Sequence, residues 1–114
     1  MEEKIFIESL FEVPSSEKRI NKLLVDLPKS SGVYKFLNET KTPIYIGKAK
    51  NLRNRVSSYF SSASKKSKKI EKLLSNIKSI EITITNTELE ALLMEQYFIK
   101  EEKPMFNVQF KDDK

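Results

Sequence analysis

The sequence contains no cysteine and no histidine. The lack of cysteine excludes disulfides, thiolate metal sites and cysteine nucleophiles. The lack of histidine removes the commonest general base and the commonest zinc ligand. Any catalysis must therefore use tyrosine, lysine, aspartate, glutamate, serine or threonine. Any bound metal must be a hard cation held by oxygen atoms, which indicates magnesium, manganese or calcium.

Glycine and proline are scarce, with 2 and 4 residues, which argues against a low-complexity or disordered chain. A length of 114 residues with 39% hydrophobic residues fits one compact domain. No stretch is long and apolar enough to span a bilayer. The N-terminus, Met1-Glu2-Glu3-Lys4, lacks the basic head of a signal peptide. These absences favour a cytoplasmic protein.

Positive charge is concentrated in one segment of a chain whose net charge is +5. Between Lys48 and Ile70 no acidic residue interrupts a set of basic residues, namely Lys48, Lys50, Arg53, Arg55, Lys65, Lys66, Lys68 and Lys69. A basic block on a mildly acidic body is expected for a protein that binds nucleic acid. A solvated lysine-rich face or a flexible loop would have the same composition, so charge alone leaves both interpretations open.

The first half of the chain predicts a helix followed by a hairpin and a second helix. Residues 1–13 are apolar without a clear period, which is compatible with an arm packed on the domain. Ser15 and Ser16 precede an apolar helical set, which predicts a short helix ending near Asp26. Residues 32–37 and 43–47 read as two strands joined by a polar turn. The spacing of Leu52, Val56, Tyr59 and Phe60 then predicts one face of a helix.

The second half predicts a helix, a strand and a long last helix. Residues 70–77 repeat the helical spacing, and alternation over residues 80–85 indicates a half-buried strand. Thr87 with Glu90 predicts a capping box for a helix that ends near Glu101. The order α-β-β-α-α-β-α predicts an α/β domain of the α+β type, with a small three-stranded mixed or antiparallel sheet flanked by helices.

Glu95 is the unusual residue of the last predicted helix. Apolar residues occupy most of that helix's circumference, namely Leu89, Ala91, Leu92, Leu93, Met94, Tyr97, Phe98 and Ile99. A helix that is apolar all round is expected in a protein interior. A carboxylate there needs a positive partner or a metal, because unpaired burial is costly. The pattern is compatible with a structural salt bridge at Glu95 and also with a metal site.

Three tyrosines form a second unusual group. Tyr34 and Tyr45 lie on the two predicted hairpin strands, where they can share one face, and Tyr59 lies on the following helix. Buried tyrosines are usually core residues with a hydrogen-bonded hydroxyl. A phenol accepts a proton only where nearby cations lower its pKa, and Lys48 and Arg55 are the candidates. The pattern permits a nuclease and also permits three core residues.

Several motifs in order resemble the GIY-YIG nuclease family. Gly32-Val33-Tyr34 and Tyr45-Ile46-Gly47, whose tyrosines are eleven positions apart, resemble its two signatures. The resemblance continues through residues 48–55, 58–60, 88–95, 98–100 and 103–108. Leu27-Pro28 and the closing Lys111-Asp112-Asp113-Lys114 resemble the UvrC branch of the family. This divides the chain into residues 1–26, an arm with a short helix, and residues 27–114, the endonuclease domain.

The resemblance implies a role for each matching residue. Tyr45 is the expected general base or the residue that orients the attacking water, and Tyr34 and Tyr59 are expected to shape the site. Lys48 and Arg55 are expected to stabilise charge on the phosphate. The resemblance further implies that Glu95 is the single protein ligand of Mg²⁺ or Mn²⁺, and that Asn107 helps to hold the site. The basic segment from Lys48 to Lys69 would contact DNA phosphates.

The resemblance also implies a function and partners. UvrC-type nucleases cut double-stranded DNA on the 3′ side of a lesion during nucleotide excision repair and are targeted through UvrB. UvrC proteins are several times longer, with a second nuclease domain, a UvrB-binding segment and a helix-hairpin-helix tail. The expectation is therefore an excised, monomeric domain or a small standalone relative. The alternatives are an inactive DNA-binding module and a homing or mobile-element nuclease.

Overall fold

A four-stranded antiparallel sheet forms the centre of the computed structural model, which describes residues 7–14, 16–61 and 67–112. Its strands are β1 (Ile7–Glu12), β2 (Gly32–Leu37), β3 (Pro43–Ala49) and β4 (Ser79–Ile84), in the spatial order β1-β4-β2-β3. The predicted α+β class and antiparallel pairing are confirmed. The predicted number of three strands is wrong, because β1 adds a fourth.

Strand β1 lies in the segment for which the sequence predicted only an arm. It pairs with β4 along its whole length, with Phe11 opposite Ile80 and Leu10 opposite Glu81. The partner strand β4 is more than 60 residues away in the chain. The local sequence of β1 therefore does not reveal that this segment is a strand.

Five helices complete the described part of the chain: α1 (Glu17–Asp26), α2 (Leu52–Phe60), α3 (Lys68–Asn76), α4 (Glu88–Glu102) and α5 (Met105–Asp112). The predicted start signals are confirmed at two of them. Ser16 caps α1 by accepting a hydrogen bond from the Arg19 backbone N–H, and Thr87 and Glu90 form the capping box of α4. Helix α5 was not predicted, because the pattern indicated a last helix ending near Glu101, before Pro104.

The helices cover both faces of the sheet. On one face α1, α2 and α3 enclose the larger core, in which Phe36, Leu52 and Leu73 are fully buried. On the other face α4 packs Ala91 against Val33 and Ile46. Within the described residues, every helix is too short or too polar to cross a membrane.

Helix α4 is not an interior helix, which corrects the expectation from its composition. Leu89, Leu93 and Tyr97 are 64%, 60% and 60% exposed. A single helix laid on a sheet buries only the side that faces the strands, and in the described residues no further layer covers its outer side. Thr83 of β4, which lies opposite Val33 on the same face of the sheet, is also buried. Strand β4 is therefore buried on both faces rather than half-buried.

Candidate active site

The β2–β3 hairpin brings two of the three tyrosines together. Its register places Tyr34 opposite Gly47 and Phe36 opposite Tyr45. Side chains of directly opposed residues lie on the same face of a sheet, so the two phenols lie side by side. Their ring centroids are 6.3 Å apart. The predicted shared face of Tyr34 and Tyr45 is confirmed, and it is the face that α2 covers.

Gly47 makes room for the Tyr34 ring. A Cβ atom at position 47 would lie 2.3 Å from the Tyr34 hydroxyl oxygen and 2.4 Å from its Cζ. No real Cβ contact is that short, and Tyr34 is only 1% exposed and has little freedom to retreat. Glycine is therefore needed at position 47, in the second tripeptide, so that the Tyr34 ring can pack there, and not to form a turn.

Helix α2 contributes Tyr59 and Arg55. Leu52, Val56 and Tyr59 form the buried side of the helix, as predicted. The Tyr59 hydroxyl lies 2.8 Å from the Tyr34 hydroxyl, and the Arg55 guanidinium carbon lies 5.5 Å from the centre of the Tyr59 ring. The proximity of Tyr34 raises the pKa of the Arg55 guanidinium. Three phenols and one guanidinium therefore form a continuous polar cluster beneath the helix.

Helix α4 supplies Glu95 from the opposite side. The Lys48 backbone N–H donates to Glu95 Oε2 at 2.8 Å, and Gln96 Nε2 donates to Oε1 at 3.1 Å. No lysine or arginine of the described part of the chain forms an ion pair with Glu95 within 4.0 Å. A carboxylate has about four lone-pair positions, so these two hydrogen bonds leave acceptor capacity.

The Glu95 carboxylate fits a single hard cation. Carboxylate oxygens are suitable for magnesium or manganese, which usually retain several waters and need only one or two protein carboxylates. No cluster of three or more acidic, histidine or cysteine ligands occurs among the described residues. A closed all-protein metal cage is therefore absent from that part of the chain, and one ligand with waters is the arrangement that the residues allow.

Asn107 stabilises the outer edge of β3. Its Oδ1 accepts a hydrogen bond from the Ile46 backbone N–H at 2.7 Å, and its Nδ2 donates to the Ile46 carbonyl oxygen at 2.8 Å. One side chain thereby satisfies both backbone groups that an edge strand leaves open. Asn107 reaches this position because α5 packs along β3, with Phe106 in the core.

These elements surround one cleft of about 570 Å³. The cleft is lined by Tyr34, Tyr45, Gly47, Lys48, Ala49, Lys50, Asn51, Asn54, Arg55, Ser58, Glu88, Ala91 and Glu95. Of the predicted site residues, Tyr59 lies behind Tyr34 and Asn107 lies at the strand edge. Sequence reasoning did not select Asn54, Ser58 or Glu88. Ser58 lies three residues after Arg55 and Glu88 seven residues before Glu95, helical spacings that could have identified them. Asn54 lies four residues before Ser58, so its signal is the spacing from that residue.

A model of the UvrC-like GIY-YIG domain matches residues 30–108. The chain belongs to this family. UvrABC system protein C of Borrelia garinii subsp. bavariensis is 58% identical over 88 residues, which cover 77% of this chain and 14% of that protein. The corresponding protein of Borreliella burgdorferi is 56% identical over 91 residues, 80% of this chain and 15% of that protein. The chain thus spans a small part of the length of these relatives.

The family fold is also found among solved structures. The GIY-YIG N-terminal endonuclease domain of UvrC from Thermotoga maritima, solved with its catalytic magnesium, is 33% identical. It superimposes with a TM-score of 0.69 and covers 80% of this chain and 98% of that one. Three tyrosine-to-phenylalanine variants and one asparagine-to-alanine variant of that domain were solved with its catalytic divalent cation.

The pKa values of the three phenols in this GIY-YIG domain are raised. Burial raises the pKa of Tyr34 to about 12, and Arg55 lowers it only in part. Burial, followed by the proximity of Tyr59, raises the pKa of Tyr45, and burial followed by Tyr34 raises that of Tyr59. Desolvation disfavours the phenolate. The expected lowering of phenol pKa values by neighbouring cations is therefore outweighed by burial, and the phenols are protonated at neutral pH in the metal-free chain.

The predicted DNA-binding residues within the described ranges do not all line the cleft. Lys48, Lys50 and Arg55 line the cleft, and Lys50 is also 3.9 Å from Glu88. Arg53 Nε donates to the Leu27 carbonyl oxygen at 2.7 Å, so this side chain holds the connection between α1 and β2. Lys68 and Lys69 are exposed on α3 outside the cleft. Lys65 and Lys66 lie outside the described residues.

Proposed function

We propose that this chain is a metal-dependent DNA endonuclease domain that hydrolyses a phosphodiester bond on the 3′ side of a lesion in nucleotide excision repair. The convergence of Tyr34, Tyr45, Arg55 and Glu95 on one cleft carries the proposal. Phosphodiester hydrolysis needs a positioned water and stabilisation of charge on the phosphate. This cluster provides phenols for the first need, and Arg55 with a metal-binding carboxylate for the second.

Glu95 is the residue that we propose to hold Mg²⁺ or Mn²⁺. Its carboxylate faces the cleft and has no cationic partner among the described residues. The magnesium found in the related Thermotoga maritima domain supports the assignment. When bound, a divalent cation supplies Lewis-acid stabilisation of the charge that develops on the phosphate.

The remaining side chains position water and phosphate. Tyr45 orients the attacking water or accepts its proton, and its raised pKa favours the orienting role. Tyr34, held by Tyr59 and Arg55, presents a hydroxyl to the phosphate. Lys48 and Arg55 stabilise its charge. Asn107 maintains the β3 edge on which Tyr45 and Lys48 are mounted.

The substrate and partners follow from the relatives' role in the UvrABC system. We infer double-stranded DNA with a lesion as the substrate, contacted through phosphates by Lys48, Lys50 and the lysines of α3. Targeting would come from UvrB, through regions outside this chain. The domain would act as a monomer in the cytoplasm.

A nicking assay on lesion-containing duplex DNA with Mg²⁺ or Mn²⁺ tests the function. Glu95→Gln keeps the size of the side chain but removes its charge. We expect it to lower the rate at least a thousandfold, since metal stabilisation of the transition state is worth several kcal/mol, while DNA binding persists. Glu101→Gln, on the exposed side of the same helix, is the matched control and should nick normally.

Two outcomes would contradict the proposal. Normal nicking by Glu95→Gln would show that the carboxylate is not the metal ligand. Binding of DNA without any nicking by the unmodified chain, in either metal, would favour an inactive binding module.

A further inference from the structure

We propose that Asn54 binds a DNA phosphate next to the one that is cut, and so sets how the strand lies in the cleft. This inference rests on the proposed nuclease function. It concerns a side chain inside the matching stretch of residues 48–55 to which the resemblance assigned no role. It follows from the charges of the two cleft walls and from which hydrogen-bonding groups on them are already occupied.

The two walls of the cleft differ in charge. Helix α2 forms one wall with Asn51, Asn54, Arg55 and Ser58, and α4 forms the other with the carboxylates of Glu88 and Glu95. Lys50 lies 3.9 Å from Glu88 and offsets part of its charge, so Glu95 is the carboxylate of the α4 wall that repels a phosphate when no metal is bound. Arg55 on the α2 wall attracts the phosphate chain. The strand should therefore run along α2, with its cut phosphate reaching across to Glu95.

The backbone of α2 offers no phosphate site at its N-terminus. The Leu52 and Arg53 N–H groups donate to the carbonyl oxygens of Ser30 and Pro28, at 2.9 and 3.0 Å. The Asn54 N–H donates to Asn51 Oδ1 at 3.1 Å. The first turn of a helix can bind an anion only through N–H groups that are free. A second contact on this wall must therefore come from a side chain.

Two side-chain amides on this wall, those of Asn51 and Asn54, have N–H donors without a partner among the described residues. The Asn51 side chain is held as the helix cap and is partly buried, whereas the Asn54 side chain is exposed and the better placed of the two. Asn51 Oδ1 is occupied as the helix cap, and Ser58 Oγ donates to the Arg55 carbonyl oxygen at 2.6 Å. The Asn54 amide is exposed and has no hydrogen-bond partner within the described ranges. Its Nδ2 carries two N–H donors and no charge. Asparagine is among the residues that position DNA by hydrogen bonding to phosphate oxygens without reading bases.

Affinity and its salt dependence together test this position. Binding of a fluorescently labelled duplex is followed by anisotropy over a range of salt concentrations, without a divalent metal so that no strand is cut. Asn54→Ala should weaken binding about three- to tenfold, as expected for loss of one ordinary hydrogen bond at a solvent-exposed position. Its salt slope should be unchanged, because no charge is lost.

Asn54→Lys places a charge at the proposed contact and sharpens the test. If a phosphate lies there, binding should strengthen and the salt slope should steepen by about 0.9, the value for one further neutralised phosphate. Asn21→Ala and Asn21→Lys, at an exposed asparagine of α1 outside the cleft, are matched controls and should change affinity and slope much less. Nicking by Asn54→Ala should show a higher KM with kcat and Mn²⁺ affinity unchanged.

The outcomes separate this inference from the proposed function. Wild-type affinity for Asn54→Ala, or equal slopes for Asn54→Lys and Asn21→Lys, would overturn the phosphate contact while leaving the nuclease intact. Failure of the unmodified chain to bind DNA at all would instead overturn the proposed function, and this inference with it.

Discussion

The hydroxyl of Tyr45 can be removed with little effect on packing, so it separates chemistry from stability. The Tyr45 ring packs against those of Tyr34 and Tyr59 at centroid distances of 6.3 and 6.1 Å, contacts that phenylalanine retains. We expect Tyr45→Phe to lower the nicking rate about 10²- to 10⁴-fold, the usual contribution of a group that handles the water proton. The free energy of unfolding should change by about 1 kcal/mol or less.

Tyr97→Phe is the control for this substitution. Tyr97 is 60% exposed on the outer side of α4, so loss of its hydroxyl should affect neither nicking nor stability. If Tyr45→Phe nicked as fast as Tyr97→Phe, Tyr45 would be a packing residue and the water would be oriented by another group.

The ionisation of the phenols gives a prediction that needs no metal. Burial raises the pKa of Tyr34 to about 12 and also raises those of Tyr45 and Tyr59. An ultraviolet titration of the metal-free protein should therefore show these three phenolates forming only above a pH of about 10, which is the ordinary pKa of a tyrosine side chain. A tyrosinate forming near pH 8 would contradict this and would indicate a phenol already prepared as a base.

The same raised pKa values determine how stability changes in alkali. Below pH of about 10, the pKa of tyrosine in the unfolded chain, the three phenols are protonated in both the folded and the unfolded state. Their contribution to the free energy of unfolding is therefore fully present. As the pH rises through 10 toward 12, the unfolded chain loses protons before the folded one, so the unfolded state is favoured. The free energy of unfolding should fall over this range, and less steeply in Tyr34→Phe, as measured by urea denaturation.

At the scale of the elements, strand β3 depends on α5 for its free edge. Asn107→Ala leaves the Ile46 N–H and carbonyl without their side-chain partner, and an unpaired buried polar group costs about 1–3 kcal/mol. We expect a loss of that order in the free energy of unfolding, together with slower nicking, because Tyr45 and Lys48 lie on the same strand within two residues of Ile46.

Asn21→Ala, at an exposed position of α1, provides the comparison and should cost nothing. An Asn107→Ala protein that was as stable and as active as this control would show that the β3 edge does not need the amide.

Elements with strong local signals were predictable from the sequence. The capping box of α4, the Ser16 cap of α1 and the buried side of α2 each depend on residues within two turns of one another. Strand β1 depends on its distant partner β4, and α5 is too short for a distinct period. The outer exposure of Leu89 and Leu93 was equally unpredictable, because composition cannot say how many layers cover a helix.

At the scale of the whole molecule, the candidate site exists only where distant segments meet. Tyr34 and Tyr45 could be placed on one face from the hairpin alone, but the opposed positions of Arg55 and Glu95 depend on how α2 and α4 close on the sheet. The residue types were visible in the sequence, and the motif resemblance assigned them roles. The acidic α4 wall, the occupied N-terminus of α2 and the availability of Asn54 could be known only from the fold.

The most direct test of the central claim is a crystal of this domain soaked in manganese, with anomalous density recorded for the unmodified chain and for Glu95→Gln. We predict one ion roughly 2.0–2.3 Å from a Glu95 carboxylate oxygen, the distance expected for a hard cation on oxygen, and its loss in the variant. Absence of the ion in the unmodified chain, or an ion that persists in Glu95→Gln, would contradict the assignment of this cleft as a single-metal nuclease site.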